Sequence, residues 1–238
     1  MPIDVAAERS RTPGCSEVTH LNNAGASLPT QQVLDAVTGY LDLEARIGGY
    51  EAVDAREAEL AQVYVEAAHL IGGDTRNWAF VESATRAWNA AFSALRFQPG
   101  DRVLTTQAEY PSNMAGLLRA HEIQGIEIVV VPDDDHGQVD VGAMADLLDE
   151  RTRLVSVTHV PTQGGLVNPA VAVGELLAGS EVLYQLDACQ SVGQLPVRLE
   201  ELGCDILSFT GRKFVRGPRA TGMVWAGADD GWSVTLER

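Results

Sequence analysis

Lysine is almost absent from this sequence: of 17 basic residues in 238, sixteen are arginine and one, Lys213, is lysine. Chemistry that needs a side-chain primary amine therefore has a single candidate. Basic charge is scarce altogether, and 33 acidic residues set the formal net charge at −16. A negative field of that size repels phosphate backbones and argues against nucleic-acid binding. Cysteine is scarce as well. Cys15, Cys189 and Cys204 are odd in number and lack C-x-x-C spacing, which argues against a disulfide framework or a zinc site and makes a reducing, cytoplasmic setting the expectation. No apolar run approaches the roughly 20 residues that span a bilayer, so no membrane partner is expected. The opening MPIDVAAERSRTPG lacks the apolar centre of a secretory signal. The dinucleotide signature G-x-G-x-x-G and the phosphate loop G-x-x-x-x-G-K-S/T are also missing. This counts against a nicotinamide dehydrogenase or an NTPase. It leaves phosphate binding open, because a helix N-terminus with free N–H groups can hold an anion.

What is present has an ordinary globular composition, 45% apolar and 21% charged, without the pairing of low hydropathy and high charge that keeps chains disordered. Residues 1–20 are polar and mixed, and read as a loose arm. From Pro29, at the first helical position, the spacing places Val33, Ala36, Val37, Tyr40 and Leu41 on one helical face, and Gly48-Gly49 stops that helix. EAVDAREAELAQVYVEAAHLI, 51–71, predicts a second helix, ended by Gly72-Gly73. Beyond it, short apolar runs at 78–82, 102–107, 126–131, 153–158, 181–187, 205–209 and 221–225 alternate for the most part with helical patterns. Several runs are apolar at consecutive positions, as strands buried on both faces are. The fold class expected is α/β, a three-layer sandwich with a mainly parallel, mixed sheet covered by helices. The last two runs have no helix between them, which allows an antiparallel pair.

In such sheets ligands bind beyond the C-terminal ends of the strands, so the loops after the runs carry the candidates. The turn after 205–209 holds Thr210, Gly211, Arg212, Lys213, Arg216 and Arg219, four of the 17 basic residues in eight positions. A solvated basic turn is the ordinary explanation of such a cluster. Strands on both sides, a path fixed by Gly211, Gly217 and Pro218, and the single lysine favour a functional one. A lysine in a partly dry pocket beside other cations gives up its proton more readily, and a neutral amine forms a Schiff base. DACQ, 187–190, closes the 181–187 run; a buried Asp187 needs hydrogen bonds or a cation, and either a turn or a protonated pyridine nitrogen can satisfy it. ESATRAW, 82–88, starts a helix, with Ser83 as its cap and free N–H groups for a phosphate. In AEYPSN, 108–113, Tyr110 is either a surface residue or a ring that stacks on a flat ligand, and Ser112 and Asn113 are candidate caps. In THVPTQGGLVNP, 158–169, His159 is either a base or structural.

Taken in order, these segments resemble the class V aminotransferase and cysteine desulfurase group of fold type I pyridoxal-phosphate (PLP) enzymes. The resemblance runs from LNNAG (21–25) through GGYEA (48–52) to TGMVW (221–225), and is most specific over 186–222, where Asp-x-x-Gln precedes the lysine-bearing turn. It implies a PLP-binding large domain over 21–225, pyridoxal 5'-phosphate as cofactor with no metal, and an amino acid or amine as substrate. The chemistry implied is of transaminase, epimerase or C–S lyase type, in a homodimer. Lys213 is then the residue that forms the Schiff base with PLP and moves the proton at the substrate Cα. Asp187 pairs with the pyridine nitrogen and keeps it protonated, Gln190 hydrogen-bonds the phenolic oxygen, and Tyr110 stacks on the ring where many relatives have histidine. Ala84 and Thr85 hold the phosphate at the helix N-terminus, aided by the Thr210 hydroxyl and by Arg212, which replaces a common histidine and can bind as a fork. Asn23 and Thr162 face the substrate. Two departures stand out. Residues 226–238 do not resemble the family's continuation into a C-terminal small domain. That domain is expected to be absent, with its arginine for the substrate carboxylate and, in desulfurases, the sulfur-accepting cysteine. Cys189 and Cys204 are expected to be buried beside or within strands. Tyr110 and Thr162, the latter where desulfurases tend to have asparagine, also leave the desulfurase pattern. The expectation therefore tilts from a cysteine desulfurase toward an aminotransferase-, epimerase- or C–S lyase-like enzyme, the alternative being a catalytically impaired PLP-fold chain or a desulfurase relative.

Overall fold

The computed structural model describes residues 3–227. Seven strands form one sheet: β1 (Trp78–Val81), β2 (Arg102–Thr106), β3 (Glu127–Val131), β4 (Thr152–Thr158), β5 (Leu183–Asp187), β6 (Ile206–Thr210) and β7 (Gly222–Ala226), in the spatial order β1-β7-β6-β5-β4-β2-β3. All seven lie within a residue or two of the apolar runs. β7 is antiparallel to both its neighbours and every other pair is parallel. Six strands, β1 included, thus point the same way and deliver their C-terminal ends to one edge.

The consecutive apolar residues are explained by two cores. Val103, Leu154, Ile206 and Val224 face α5 (Ala84–Ala94) and α6 (Pro111–Gln124), packing with Trp88, Phe92, Leu117 and Ala120. Their strand neighbours Leu104, Val155, Leu207 and Met223 point the other way, into a core with Ile71 of α4 (Glu57–Ile71), Met144 of α7 (Val141–Leu147), Val173 and Leu177 of α8 (Ala170–Leu177), and Leu199 and Leu202 of α9 (Leu199–Leu202). Side chains alternate across a strand, so a strand covered on both faces must be apolar at successive positions. Each fully buried leucine adds about 1.5–3 kcal/mol relative to exposure. On the α5–α6 face the strands turn polar toward their C-terminal ends: Thr105, Ser156, Thr158, Gln185, Asp187, Ser208 and Thr210 lie two or four residues beyond apolar partners. This polar band is the floor of the crevice.

The N-terminal part differs from expectation at three points. α2 (Gln31–Ile47) is capped by Thr30, whose hydroxyl accepts from Val33 N at 3.3 Å, so Pro29 stands before the cap and not at the first helical position. The second predicted helix is two, α3 (Gly49–Ala55) and α4, interrupted at Arg56, where φ −123° and ψ 15° leave the helical region. The arm is not loose over its described residues. It forms α1 (Val5–Ser10), capped by Asp4, and a 3-10 turn at Pro13–Ser16. Gln31 N donates to Arg11 O at 2.7 Å, and the Arg216 guanidinium donates to the Thr12 hydroxyl and, at 3.2 Å, to Leu28 O. Arg216 belongs to the lysine-bearing turn, so that turn anchors the arm. The tail reading over 226–238 falls, beyond Gly227, outside the described residues. No helix among the described residues is long and apolar enough to cross a membrane.

Candidate active site

The common edge of the co-directed strands opens into a cavity lined by residues at or just beyond the ends of five of them, β1, β2, β4, β5 and β6. One strand ends in each wall. After β1, Ser83 starts α5, its hydroxyl accepting from Arg86 N at 3.1 Å, and Ala84 and Thr85 line the cavity at the free N–H end of the helix. Gly222 lets this happen: a Cβ there would stand 2.4 Å from Ser83 C and 2.8 Å from Ala84 N, so only glycine allows β7 to start so close to the helix. After β2 comes Tyr110, after β4 Thr162, after β5 Asp187 and Gln190, and after β6 Thr210, Arg212 and Lys213. Nine of the ten residues singled out from sequence thus meet in one place.

Lys213 is buried, 4% exposed, and its Nζ lies 5.7 Å from the centre of the Tyr110 ring. Among the described residues it has no hydrogen-bond or ion-pair partner. Asp187, also 4% exposed, ends β5. One of its oxygens accepts from Asn113 Nδ2 at 2.8 Å and the other from Cys189 N at 2.9 Å; no cation pairs with it among the described residues. Gln190 donates through Nε2 to Ala24 O at 3.1 Å and to the Thr162 hydroxyl at 3.0 Å, leaving its buried Oε1 without a partner. The Thr85 and Ser112 hydroxyls lie 3.1 Å apart. Thr210 Oγ1 donates to Thr221 O at 2.9 Å, and the Arg212 guanidinium donates to Gly25 O, so each has a proton committed to backbone.

Asn23 is the exception. It lines a second, more open cavity with Leu21, Leu28 and Arg216, while the carbonyls of its neighbours Ala24 and Gly25 accept from Gln190 and Arg212 of the first. Sequence reasoning missed five lining residues, Ser112, Asn113, Thr158, Val160 and Cys189. Asn113 is no cap: Pro111 is the first residue of α6 and Tyr110 precedes it without a side-chain cap bond, which puts Asn113 at the third helical position, facing back to the strand ends. Pro111 was the available signal. Ser112 does not cap either, and lines the cavity, as do Thr158 and Cys189. Cys204 is buried as expected, but Cys189 lines the site, its thiol held well above its usual range by burial and by the Asp187 charge.

The sequence matches the family described as Aminotransferase class-V over residues 19–230. The chain belongs to that family. Its members use pyridoxal phosphate. A probable cysteine desulfurase of Methanothermobacter thermautotrophicus is 32% identical over 211 residues, covering 87% of this chain and 52% of that protein. Among solved structures, the apo cysteine desulfurase of Thermococcus onnurineus aligns with a TM-score of 0.85 at 24% identity, covering 95% of this chain and 57% of that one. The cystine C-S lyase C-DES, in complex with cysteine persulfide, aligns with a TM-score of 0.85 at 23% identity, over 92% and 59%. The two structures share the α/β fold. The chain spans about half the length of the curated relatives it matches.

The residues present fit this class-V cofactor. Asp187 is a buried carboxylate lacking a cation, Gln190 Oε1 is a buried acceptor lacking a donor, and the α5 N-terminus presents N–H groups to an anion.

His159 does not line the cavity. It is 7% exposed with Nδ1 unpaired, and burial lowers its pKa from 6.5. A base with a lowered folded-state pKa gives stability that is present above the unfolded value and lost as pH falls through it. The wild type is expected to lose stability from this group as pH falls below 6.5, the ordinary value from which burial lowers it. Urea denaturation of His159→Leu should show a flatter pH dependence, and identical slopes in both proteins would refute the assignment.

Proposed function

We propose that this chain binds pyridoxal phosphate through Lys213 and works at the Cα of an amino acid, with C–S cleavage of a cysteine-type substrate as the reaction. The single observation that carries the reading is the meeting of Lys213, Asp187 and the α5 N-terminus in one cavity. When bound, the cofactor withdraws electrons from the substrate Cα. The chain's own contributions follow from its geometry. Lys213 Nζ, without a hydrogen-bond or ion-pair partner among the described residues, serves as the point of covalent attachment and then takes the Cα proton, which leaves it able to give a proton to the departing sulfur. Asp187 offers negative charge to a protonated ring nitrogen. Tyr110 supplies the flat wall, and Gln190 a polar group beside Thr162. Ala84 and Thr85 receive the phosphate, with Arg212 and Thr210 beside them.

Two things support C–S chemistry: the curated relatives are cysteine desulfurases, and the cavity's own thiol, Cys189, is held protonated, which leaves it poorly suited to accept sulfur. A lyase that releases sulfur in a small molecule fits that better than transfer to Cys189. A cytoplasmic homodimer belongs to this reading on family resemblance.

The test separates binding from turnover. The purified 238-residue chain is incubated with PLP, desalted and scanned for a visible absorption band. L-Cysteine and L-cystine are then added, and sulfide or persulfide, pyruvate, alanine and keto acids are measured. A band with sulfide or persulfide release supports the whole reading. A band without any product favours a PLP-binding chain without turnover, which the half-length coverage of relatives makes a specific alternative. No band refutes the cofactor assignment.

A further inference from the structure

Behind the cavity floor lies a second buried carboxylate that the functions above do not use. Glu109, 9% exposed, follows β2 and has no cation partner among the described residues. Its charge is met by five donors. Oε1 accepts from Tyr110 N at 2.7 Å, from Asn113 Nδ2 at 3.0 Å and from the Thr158 hydroxyl at 2.5 Å; Oε2 accepts from the Thr105 hydroxyl at 3.0 Å and the Ser156 hydroxyl at 3.3 Å. Three of these donors belong to residues that line the cavity, Tyr110, Asn113 and Thr158, and two of them link Glu109 to groups placed at the ligand. The Tyr110 N–H belongs to the residue whose ring walls the cavity, and the Asn113 amide gives its second bond to Asp187 at 2.8 Å.

The amide between the two carboxylates can stand only one way. A carboxylate accepts and an amide oxygen cannot donate, so turning Asn113 over would set its Oδ1 against both Glu109 and Asp187. Asn113 Oδ1 instead faces the Ser112 hydroxyl, at 3.5 Å. Glu109 therefore fixes the Asn113 donor, and with it the side of Asp187 left for a cavity ligand. We propose that Glu109 is a positioning residue for the cofactor: through Asn113 it sets the Asp187 carboxylate, and through the Tyr110 N–H it sets the ring wall. This rests on the PLP reading above. Burial and the Asp187 charge push the Glu109 carboxyl up, while the Thr158, Tyr110 and Asn113 donors pull it down, the net being upward. The site thus keeps a costly buried carboxylate, three of whose five donors belong to residues that line the cavity.

The experiment uses the full chain and three variants, Glu109→Ala, Glu109→Gln and Asn113→Ala. Three quantities are read: PLP affinity, the visible circular dichroism of bound PLP, and the urea midpoint without PLP. Glutamine can offer Oε1 to the two fixed N–H donors and turn its amide toward the Thr105 and Ser156 hydroxyls, which are able to accept. Glu109→Ala and Asn113→Ala are expected to weaken PLP roughly tenfold or more and to diminish the dichroism of the bound cofactor. Glu109→Gln should restore both. If Glu109→Ala does not fold, Asn113→Ala and Glu109→Gln carry the same comparison. Variants that lower only the urea midpoint, with wild-type affinity and dichroism, would overturn the proposal, as would failure of Glu109→Gln to rescue. A wild type that takes up no PLP would overturn the cofactor reading and this inference together, whereas a wild type that binds normally beside indifferent variants would remove this inference alone.

Discussion

Lys213→Ala is expected to lose the covalent link to PLP entirely and to lower turnover by about 10³-fold or more, since the same amine serves as attachment point and as acid–base group. The fold should survive. The Lys213 side chain makes no hydrogen bond or ion pair among the described residues, and its Nζ stands 5.7 Å from the centre of the Tyr110 ring. Its backbone carbonyl accepts from Arg216 N at 3.0 Å and is untouched by the substitution. The measurement is unusually clean because the sequence has one lysine. After borohydride reduction and digestion, a PLP mass on a side-chain amine can lie only on the peptide containing Lys213; the α-amine would label the N-terminal peptide instead. Wild type should carry the label there, and Lys213→Ala should carry none while keeping a native urea transition. Label found solely at the N-terminus of the wild type would sink the assignment.

That one residue type could be followed from composition to cavity shows why the site was more legible than the chain before it. The strands were readable because burial on two faces leaves runs such as LVSV and ILSF, which the alternation of the two cores explains. The ends of five of the seven runs then located the walls. What the runs concealed was their own polarity gradient: Thr105, Ser156, Thr158 and Ser208 sit inside apolar segments and look like tolerated small residues until the sheet register aligns them into one band beneath the cavity. Glu109 and Asn113 were hidden for a related reason. Their partners Ser156, Thr158 and Asp187 lie 47 to 74 positions away, and local spacing suggested only a capped helix. The arm was misread because part of what holds it, Gln31 and Arg216, the latter about 200 residues on, lies outside its own composition. Asn23 was misplaced by one or two residues' turn of a loop: the backbone of Ala24 and Gly25 reaches the site's Gln190 and Arg212, while the Asn23 side chain lines the neighbouring cavity.

The second large effect is expected at Asp187. Asp187→Asn should lower turnover by about 10²–10³-fold, the scale of losing one preorganised electrostatic group, while the protein without PLP stays folded. The two effects have separate causes. The carboxylate accepts on both oxygens from fixed N–H donors, Cys189 N and Asn113 Nδ2. Asparagine keeps one acceptor and must turn its own amide toward the other donor, at a cost of about 1–3 kcal/mol for the bond left unmade. Against this, Asp187 is a buried carboxyl group with no ion-pair partner among the described residues, and replacing it with an amide lowers the cost of burying it. The urea midpoint without PLP should therefore move little. With PLP present the balance changes, because the negative charge that favours a protonated ring nitrogen is gone. A cofactor analogue methylated at that nitrogen carries the positive charge regardless of any neighbour. In Asp187→Ala, where side-chain truncation leaves room, the analogue should recover part of the activity that PLP itself cannot support. Equal turnover with PLP and with the methylated analogue in Asp187→Ala would mean that Asp187 acts by shape alone. Asp187→Asn turnover within a few-fold of wild type would remove it from the mechanism.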